Sequence, residues 1–498
     1  MLNGKMGSIC GSLVAGALIV CSTLCLTCRK QNRAPDTPSA PDGLSSGVND
    51  TLYTFTSTAT DIDDDNVAVR FDWGDGDTSD WTAPLPSGQA REASHAWHLP
   101  GAFSVRSQAK DSSGVLSGWS ASHELKIIAA WSRLFGGERT SLGYSVQPTP
   151  DGGCIATGYT YSYGAGQDDL WLIKTDASGN KLWDKTFGGT DMDEGSSVQL
   201  TPDGGYIIAG ATGSSPIADW DLWLIRTDST GNKLWDKTFG GTDDDFGFSI
   251  KQTPDGGYAI AGYTDSYGSG SSDVWLIKTD ANGNQIWDKT FGGTAEDVGF
   301  SVALASDGGY VVAGRTLSYG AGGADLWLIK TDGSGNLLWS KTYGGTGRDE
   351  GWSVQATTDG GAIAAGNTSS SGAGEEDAWL VKVDAGGNKV WDKTFGGTSG
   401  DGAYSIEPTP DGGYIVGGYT ESFGAGSDDV WLLKIDASGN KLWDRTRGEN
   451  DEDVARCVTP SPDGGYVVAG WTWPHFGSSQ EVWLIKTGAN GEGPTDLP

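Results

Sequence analysis

Cysteine is nearly missing from the body of this chain. Of six cysteines in 498 residues, four lie at or before Cys28, leaving Cys154 and Cys457. No disulfide framework can be built from that, and both remaining thiols are expected to be unpaired and buried as small apolar groups. Histidine is as scarce, with four in all and only His475 in the C-terminal three quarters. A Ser-His-Asp triad or a zinc spacing has no material there, and no phosphate-cradling glycine loop is present. Positive charge is also short: 33 basic against 65 acidic residues leave a net charge of −32. A nucleic-acid partner needs a basic face, so that class is excluded. Long apolar runs are confined to one, Ile9 to Leu26.

What is abundant is glycine (79) and tryptophan (22), and a repeat accounts for both. Trp131, Trp183, Trp235, Trp287, Trp339, Trp391 and Trp443 follow one another at 52-residue steps. A second series, Trp171, Trp223, Trp275, Trp327, Trp379, Trp431 and Trp483, keeps the same register. A period near 50 residues is the mark of a propeller, solenoid or array. Each unit holds four short runs, in the second copy SSVQLT, GYIIAGAT, DLWLIRT and KLWDKTF. Their β-branched and aromatic content with partial alternation predicts strands. Asp-Gly-Gly between the first two runs and Asp-x-x-Gly-Asn between the last two predict two hairpin turns. Two hairpins make a four-stranded antiparallel blade.

The ends of the repeat are complementary. The first copy opens with a fourth-strand match, IIAAWSRLFGG, and the last stops after a third-strand match, VWLIKT. Pairing of the two would remove an exposed edge. The expectation is therefore an all-β protein whose residues 127–498, with repeats from 131, form a seven-bladed propeller closed by N- and C-terminal strands around Ile127 to Phe135 and Glu481 to Thr487.

Residues 1–28 are expected to be a signal peptide or membrane anchor, because the run Ile9 to Leu26 suits either. Cys28 followed by a polar, proline-rich stretch resembles the start of a mature bacterial lipoprotein, which implies lipid attachment at Cys28. The residues before Cys28 depart from the usual lipobox, and Arg29, Lys30 and Arg33 suit an uncleaved anchor as the alternative. Either places the bulk of the chain outside the cytoplasm at the cell envelope. Residues 29–46 read as a linker. Residues 47–129 then carry FDWGDG (Phe71 to Gly76), SHAWHLPGAFSV (Ser94 to Val105) and AKDSSG (Ala109 to Gly114). This series resembles the PKD domain, an Ig-like β-sandwich, with Phe and Trp exchanged around Asp72 and Phe103 in place of a Tyr. The resemblance implies an extracellular spacer or adhesion module.

Chemistry is sparse. Thirteen aspartates sit in the two hairpin turns, where the side chain caps local backbone. Asp193, Asp245, Asp297, Asp349, Asp401 and Asp453 precede the first strand, and Asp169 and its equivalents precede the third. Alternating strand direction puts both sets on the face opposite the hairpin turns. A ring of such carboxylates could hold Ca²⁺, and the alternative is that each caps its own loop. Asp61, Asp63, Asp64 and Asp65 have Ca²⁺-like spacing without the glycine of an EF-hand loop.

Two columns vary between copies: Tyr144, Ser196, Phe248, Phe300, Trp352, Tyr404, Arg456, and Tyr159, Ala211, Tyr263, Arg315, Asn367, Tyr419, Trp471. A ligand that breaks sevenfold symmetry must be held by residues that differ between blades. Trp352, Arg315, Asn367 and Trp471 are the candidate ligand residues, suited to a sugar or peptide. The hairpin TDASGNKLW resembles the quinoprotein repeat, although that family's vicinal cysteine pair is absent. The expected function is a non-catalytic binding or scaffold protein, monomeric, for protein or glycan ligands at the cell surface. The alternative is an extracellular hydrolase or quinoprotein-like oxidoreductase.

Overall fold

The computed structural model describes residues 31–214, 219–474 and 479–494. Cys28, the apolar run before it, and His475 lie outside the described residues. Every regular element among the described residues is a β-strand, with no helix to cross a membrane.

Residues 46–128 form an Ig-like β-module. Its central strand, Gly101–Asp111, pairs antiparallel with Val67–Asp72, Leu116–Trp119 and His123–Ile128, and Ser46–Val48 joins the last of these in parallel. Leu52–Thr58 and Ala90–Ala96 pair as a second sheet. Period-two alternation sends Val67, Val69, Phe71 and Trp73 to one side, where they meet Phe55, Trp97, Val105 and Leu125 in one core. Phe71 stacks on Trp73 with ring centroids 5.3 Å apart, and Trp97 stands edge-on to Trp73 at 5.9 Å. The aromatic positions of FDWGDG and SHAWHLP are thus core residues.

The repeats form seven four-stranded antiparallel sheets. In the second the strands are Asp193–Leu200, Tyr206–Ser214, Asp219–Thr227 and Lys233–Phe239. The second and third strands are the most buried of each set, and the fourth is the most exposed. In the seventh sheet Trp131–Phe135 takes the fourth place, pairing antiparallel with Glu481–Thr487 from Lys486↔Trp131 to Val482↔Phe135. Ile127 and Ile128, expected at the start of that strand, belong instead to the Ig-like module. Ile127 pairs there with Gly47 and Gly101, and its side chain lies in that core.

Successive sheets pack face to face. One core joins Ile155, Leu170 and Leu172 of the first sheet to Val198, Tyr206, Ile208 and Trp223 of the second. Another joins Trp131, Val467, Ala469 and Leu484 of the seventh to Val146, Ala156, Trp171 and Ile173 of the first. A serine near the middle of six of the seven first strands accepts from the next sheet's first-strand amide, as Ser145 does from Val198 N at 3.2 Å. The same bond recurs from Ser197 to Ser405 at 3.1 to 3.4 Å. Cys457 occupies that column in the seventh sheet. There the Thr459 hydroxyl bonds Val146 O at 3.0 Å, and Cys457 Sγ lies 3.8 Å from the same oxygen. Both Cys154 and Cys457 are free thiols; Cys154 is buried and Cys457 partly so.

Candidate functional site

Each first strand carries one residue too many for its partner. Pairing runs Gly143↔Gly158 and then Ser145↔Thr157, so Tyr144 is skipped. The same slip passes over Ser196, Phe248, Phe300, Trp352, Tyr404 and Arg456 in the other six sheets. These are β-bulges, which bend the strand and re-aim a side chain. The facing strand permits the slip by carrying glycine: a Cβ on Gly158 would lie 1.8 Å from the Leu142 carbonyl. The first variable column of the sequence is therefore the bulge residue of every sheet.

All seven bulge residues line one cavity of about 180 Å³, together with Glu194 and Phe246. Its wall is aromatic and continuous. Phe246 stacks on Phe248 at 4.9 Å, Phe248 meets Phe300 at 5.4 Å, Phe300 stacks on Trp352 at 4.1 Å, and Trp352 stands edge-on to Tyr404 at 5.4 Å. The Arg456 guanidinium carbon lies 4.2 Å from the Tyr404 ring centre, 5.2 Å from Trp471, and 5.6 Å from both Tyr144 and Trp352. Burial pushes the Glu194 carboxyl up to about 7; nearby Asp168 adds to this, and Arg456 partly offsets it. Tyr144 and Tyr404 are also raised by burial, against the pull of Arg456.

The four candidate residues fall differently about this cavity. Trp352 is in its wall, with a buried indole N–H that finds no acceptor. Trp471 touches it through Arg456, and its indole N–H points to Glu452 at 3.4 Å. Arg315 lies over Phe300, but its guanidinium is bound by Glu296 and by Glu350, the latter at 2.6 Å. Asn367 Oδ1 accepts the Ala403 amide at 3.1 Å. Arg456, Glu194 and Phe246 were not among the candidates. Arg456 is the one charge in its column, whereas Glu194 shares its column with Glu350 and so did not stand out.

The acidic column before the first strand is buried and engaged locally. Asp193 accepts from Gly189 N at 2.8 Å and from the Thr212 hydroxyl. Asp297, Asp349 and Asp401 repeat this with Gly293 and Thr316, Gly345 and Thr368, and Gly397 and Thr420. Asp245 takes Gly241 N and Ser266 Oγ, and Asp453 takes Glu449 N. One oxygen of each of the last two has no hydrogen-bond partner. A side chain on Gly188 would come within 2.4 Å of Asp169 Oδ1 and 2.5 Å of Asp193 Oδ2, so glycine keeps these two acids close. Burial raises both Asp429 and Asp453 to about 6. Groups of three acid or histidine ligand atoms within 4.8 Å of one another occur elsewhere among the described residues, at Asp61/Asp65/Asp111 and Asp75/Asp77/His95.

The hairpin turns contain a partner that the aspartates alone did not announce. Lys174 from the third strand reaches Asp151 of the first turn at 2.8 Å. Arg226, Lys278, Lys330, Lys382, Lys434 and Lys486 pair likewise with Asp203, Asp255, Asp307, Asp359, Asp411 and Asp463. The second turn is capped by its own aspartate, as Asp176 Oδ1 accepts the amides of Ser178 and Asn180.

No family model matches the chain. The regulatory protein FlaEY of Caulobacter vibrioides is 28% identical over 203 residues, which cover 34% of this chain and 21% of FlaEY. The chain thus spans about a fifth of that relative's length. Among solved structures it is similar to the PKD domain of an M14-like peptidase from Thermoplasmatales archaeon SCGC AB-540-F20. That match is 34% identical, covers 19% of this chain and 97% of the domain, and has a TM-score of 0.18. A eukaryotic initiation factor is 11% identical, with 82% and 88% coverage and a TM-score of 0.28. The extracellular domain of a hybrid two-component system from B. thetaiotaomicron is 9% identical, with 89% and 72% coverage and a TM-score of 0.19.

Proposed function

We propose that the chain is a non-catalytic binding protein of the cell envelope, whose ligand enters the cavity between the seven bulges. In this reading residues 1–28 export and tether the chain, with Cys28 as lipid attachment site, and residues 47–129 are a PKD-like spacer. The seven sheets are the blades of a closed propeller. Three features support closure: the pairing of Trp131–Phe135 with Glu481–Thr487, the core shared by the seventh and first sheets, and the Ser141 amide bonded to Gln480 O at 2.8 Å. The ligand is a protein or glycan presented at the cell surface.

One observation carries the binding reading. The repeat is kept in turns, cores and joints, yet the seven residues that meet at one cavity are Tyr, Ser, Phe, Phe, Trp, Tyr and Arg. A frame needs no such variety. The carboxylate pair that glycoside hydrolysis uses is not assembled there, since Glu194 is the one acid lining the cavity among the described residues. Glycan-array and peptide pull-down screens, with and without Ca²⁺, test the reading. Ligands are expected whose binding is lost in Trp352→Ala; turnover of a ligand would favour the hydrolase alternative instead. Mass spectrometry of the mature N-terminus tests the tether, and an intact Met1 would rule out lipidation at Cys28.

A further inference from the structure

The variable cavity also carries information about what its ligand is made of, and the inference rests on the binding reading above. Arg456 is the one bulge residue with a charge. Among the described residues its guanidinium has no ion pair within 4.0 Å and no hydrogen bond to a protein acceptor; it faces four aromatic rings and feels Glu194 only through the longer-range charge. That is unusual in a chain where acids outnumber bases 65 to 33. Arg315, one column away, holds two glutamates, and each of the seven buried bases of the third strands holds its own aspartate. The rings around Arg456 attract its charge, but they satisfy none of its five N–H donors. A planar fork of donors held over aromatic faces suits a carboxylate taken in two parallel hydrogen bonds.

The second unspent donor in the wall is the Trp352 indole N–H, buried without an acceptor. Glu194, the only acid in the wall among the described residues, is raised to about 7 by burial and so is a weak counter-ion near neutrality. Size sets the third limit. The cavity is about 180 Å³, and an engineered apolar cavity of about 150 Å³ accommodates benzene. One ring-sized body fits.

We infer that the cavity binds a ring-sized body bearing a carboxylate, the carboxylate on Arg456 and the ring among Phe300, Trp352 and Tyr404. An aromatic acid and an acidic sugar both present this chemistry, so the probes are chosen to separate them. The full-length chain is titrated calorimetrically with 4-hydroxyphenylacetate and its amide, and with glucuronate and glucose. At least one acid is expected to bind ten-fold or more tighter than its neutral counterpart. Arg456→Gln is expected to abolish that preference, and Arg456→Lys to keep part of it, with thermal melts confirming that both variants fold. Which acid wins identifies the source.

Equal binding of acid and neutral probes, lost in Trp352→Ala, would overturn the carboxylate inference while leaving the cavity as the binding site. Acid binding that survives both Arg456→Gln and Trp352→Ala would place the site elsewhere and overturn both. Absence of binding by all four probes at millimolar concentration would also overturn the carboxylate inference, leaving the cavity to the glycan and peptide screens.

Discussion

The two ends of each sheet are built from the same residue types to opposite effect. At the hairpin end the copies are interchangeable, with a buried third-strand base reaching a turn aspartate in all seven, exposed in six and half-buried at Asp463. The acids there are stabilised as anions. The Thr253 hydroxyl first, and Lys278 beside it, hold Asp255 down to about 2. At the opposite end desolvation pushes five buried or half-buried acids up: Glu194 and Asp428 to about 7, and Asp168, Asp429 and Asp453 to about 6. That end also holds the bulge column, where the copies differ most. Repetition builds the frame at one end, and departure from repetition lines a cavity near the other.

The largest expected effect tests the frame. Deleting residues 131–135 removes the fourth strand of the seventh sheet and bares the Glu481–Thr487 edge. Loss of soluble monomer by size-exclusion chromatography is expected; a monomeric deletion variant with an unchanged melting temperature would show that the strand closes nothing.

Next in size is the contrast between a repeated and a variable tryptophan. Trp275 is 2% exposed and donates to Asp288 at 2.9 Å. Its replacement by alanine is expected to cost about 3–5 kcal/mol in urea unfolding. Trp352→Ala, at a half-buried wall position, is expected to cost about 1–2 kcal/mol. Similar losses at both positions would erase the distinction between frame and site.

Titration separates the two ends by sign. The raised acids stabilise the fold fully below their unfolded values, and that contribution is lost as pH rises through 6 to 7. The depressed Asp255, Asp359 and Asp411 contribute above the ordinary 3.8, and lose it as pH falls through about 2. Tm is therefore expected to rise from pH 8 to a maximum near about pH 4–5 and to fall below it. A Tm that climbs steadily from pH 5 to 8 would contradict the raised set.

Much of the frame was legible because it is local. Strand number and both turns follow from a few residues each. The Ig-like module was legible for the same reason, since Phe71, Trp73 and Trp97 sit in quotable motifs. The bulge was not legible, because a skipped residue exists only relative to the glycine of the facing strand. The lysine column was visible in every WLIKT-type run, yet a strand lysine reads as solvated until its turn aspartate is placed beside it. Glu194 had no local signal for its environment: Phe246 and Arg456 come from other sheets. The carboxylate column was legible as a recurring position, but what its oxygens accept depends on loop amides and on threonines 19 residues away.

A smaller effect probes the hairpin end alone. Asp255→Asn keeps an acceptor for the turn and removes the ion pair to Lys278. A loss of about 0.5–1 kcal/mol is expected, reduced by salt.

The most direct test of a variable site on a repeated frame compares two tryptophans in one screen. The full-length chain, Trp352→Ala and Trp235→Ala are applied to the same glycan and peptide arrays, with folding of each checked by its melt. Trp235 belongs to the repeated fourth-strand column, where it packs on Gly283 of the next hairpin. The account expects ligands of the native chain to be kept by Trp235→Ala and lost by Trp352→Ala. Ligands kept by Trp352→Ala and lost by a folded Trp235→Ala would contradict it.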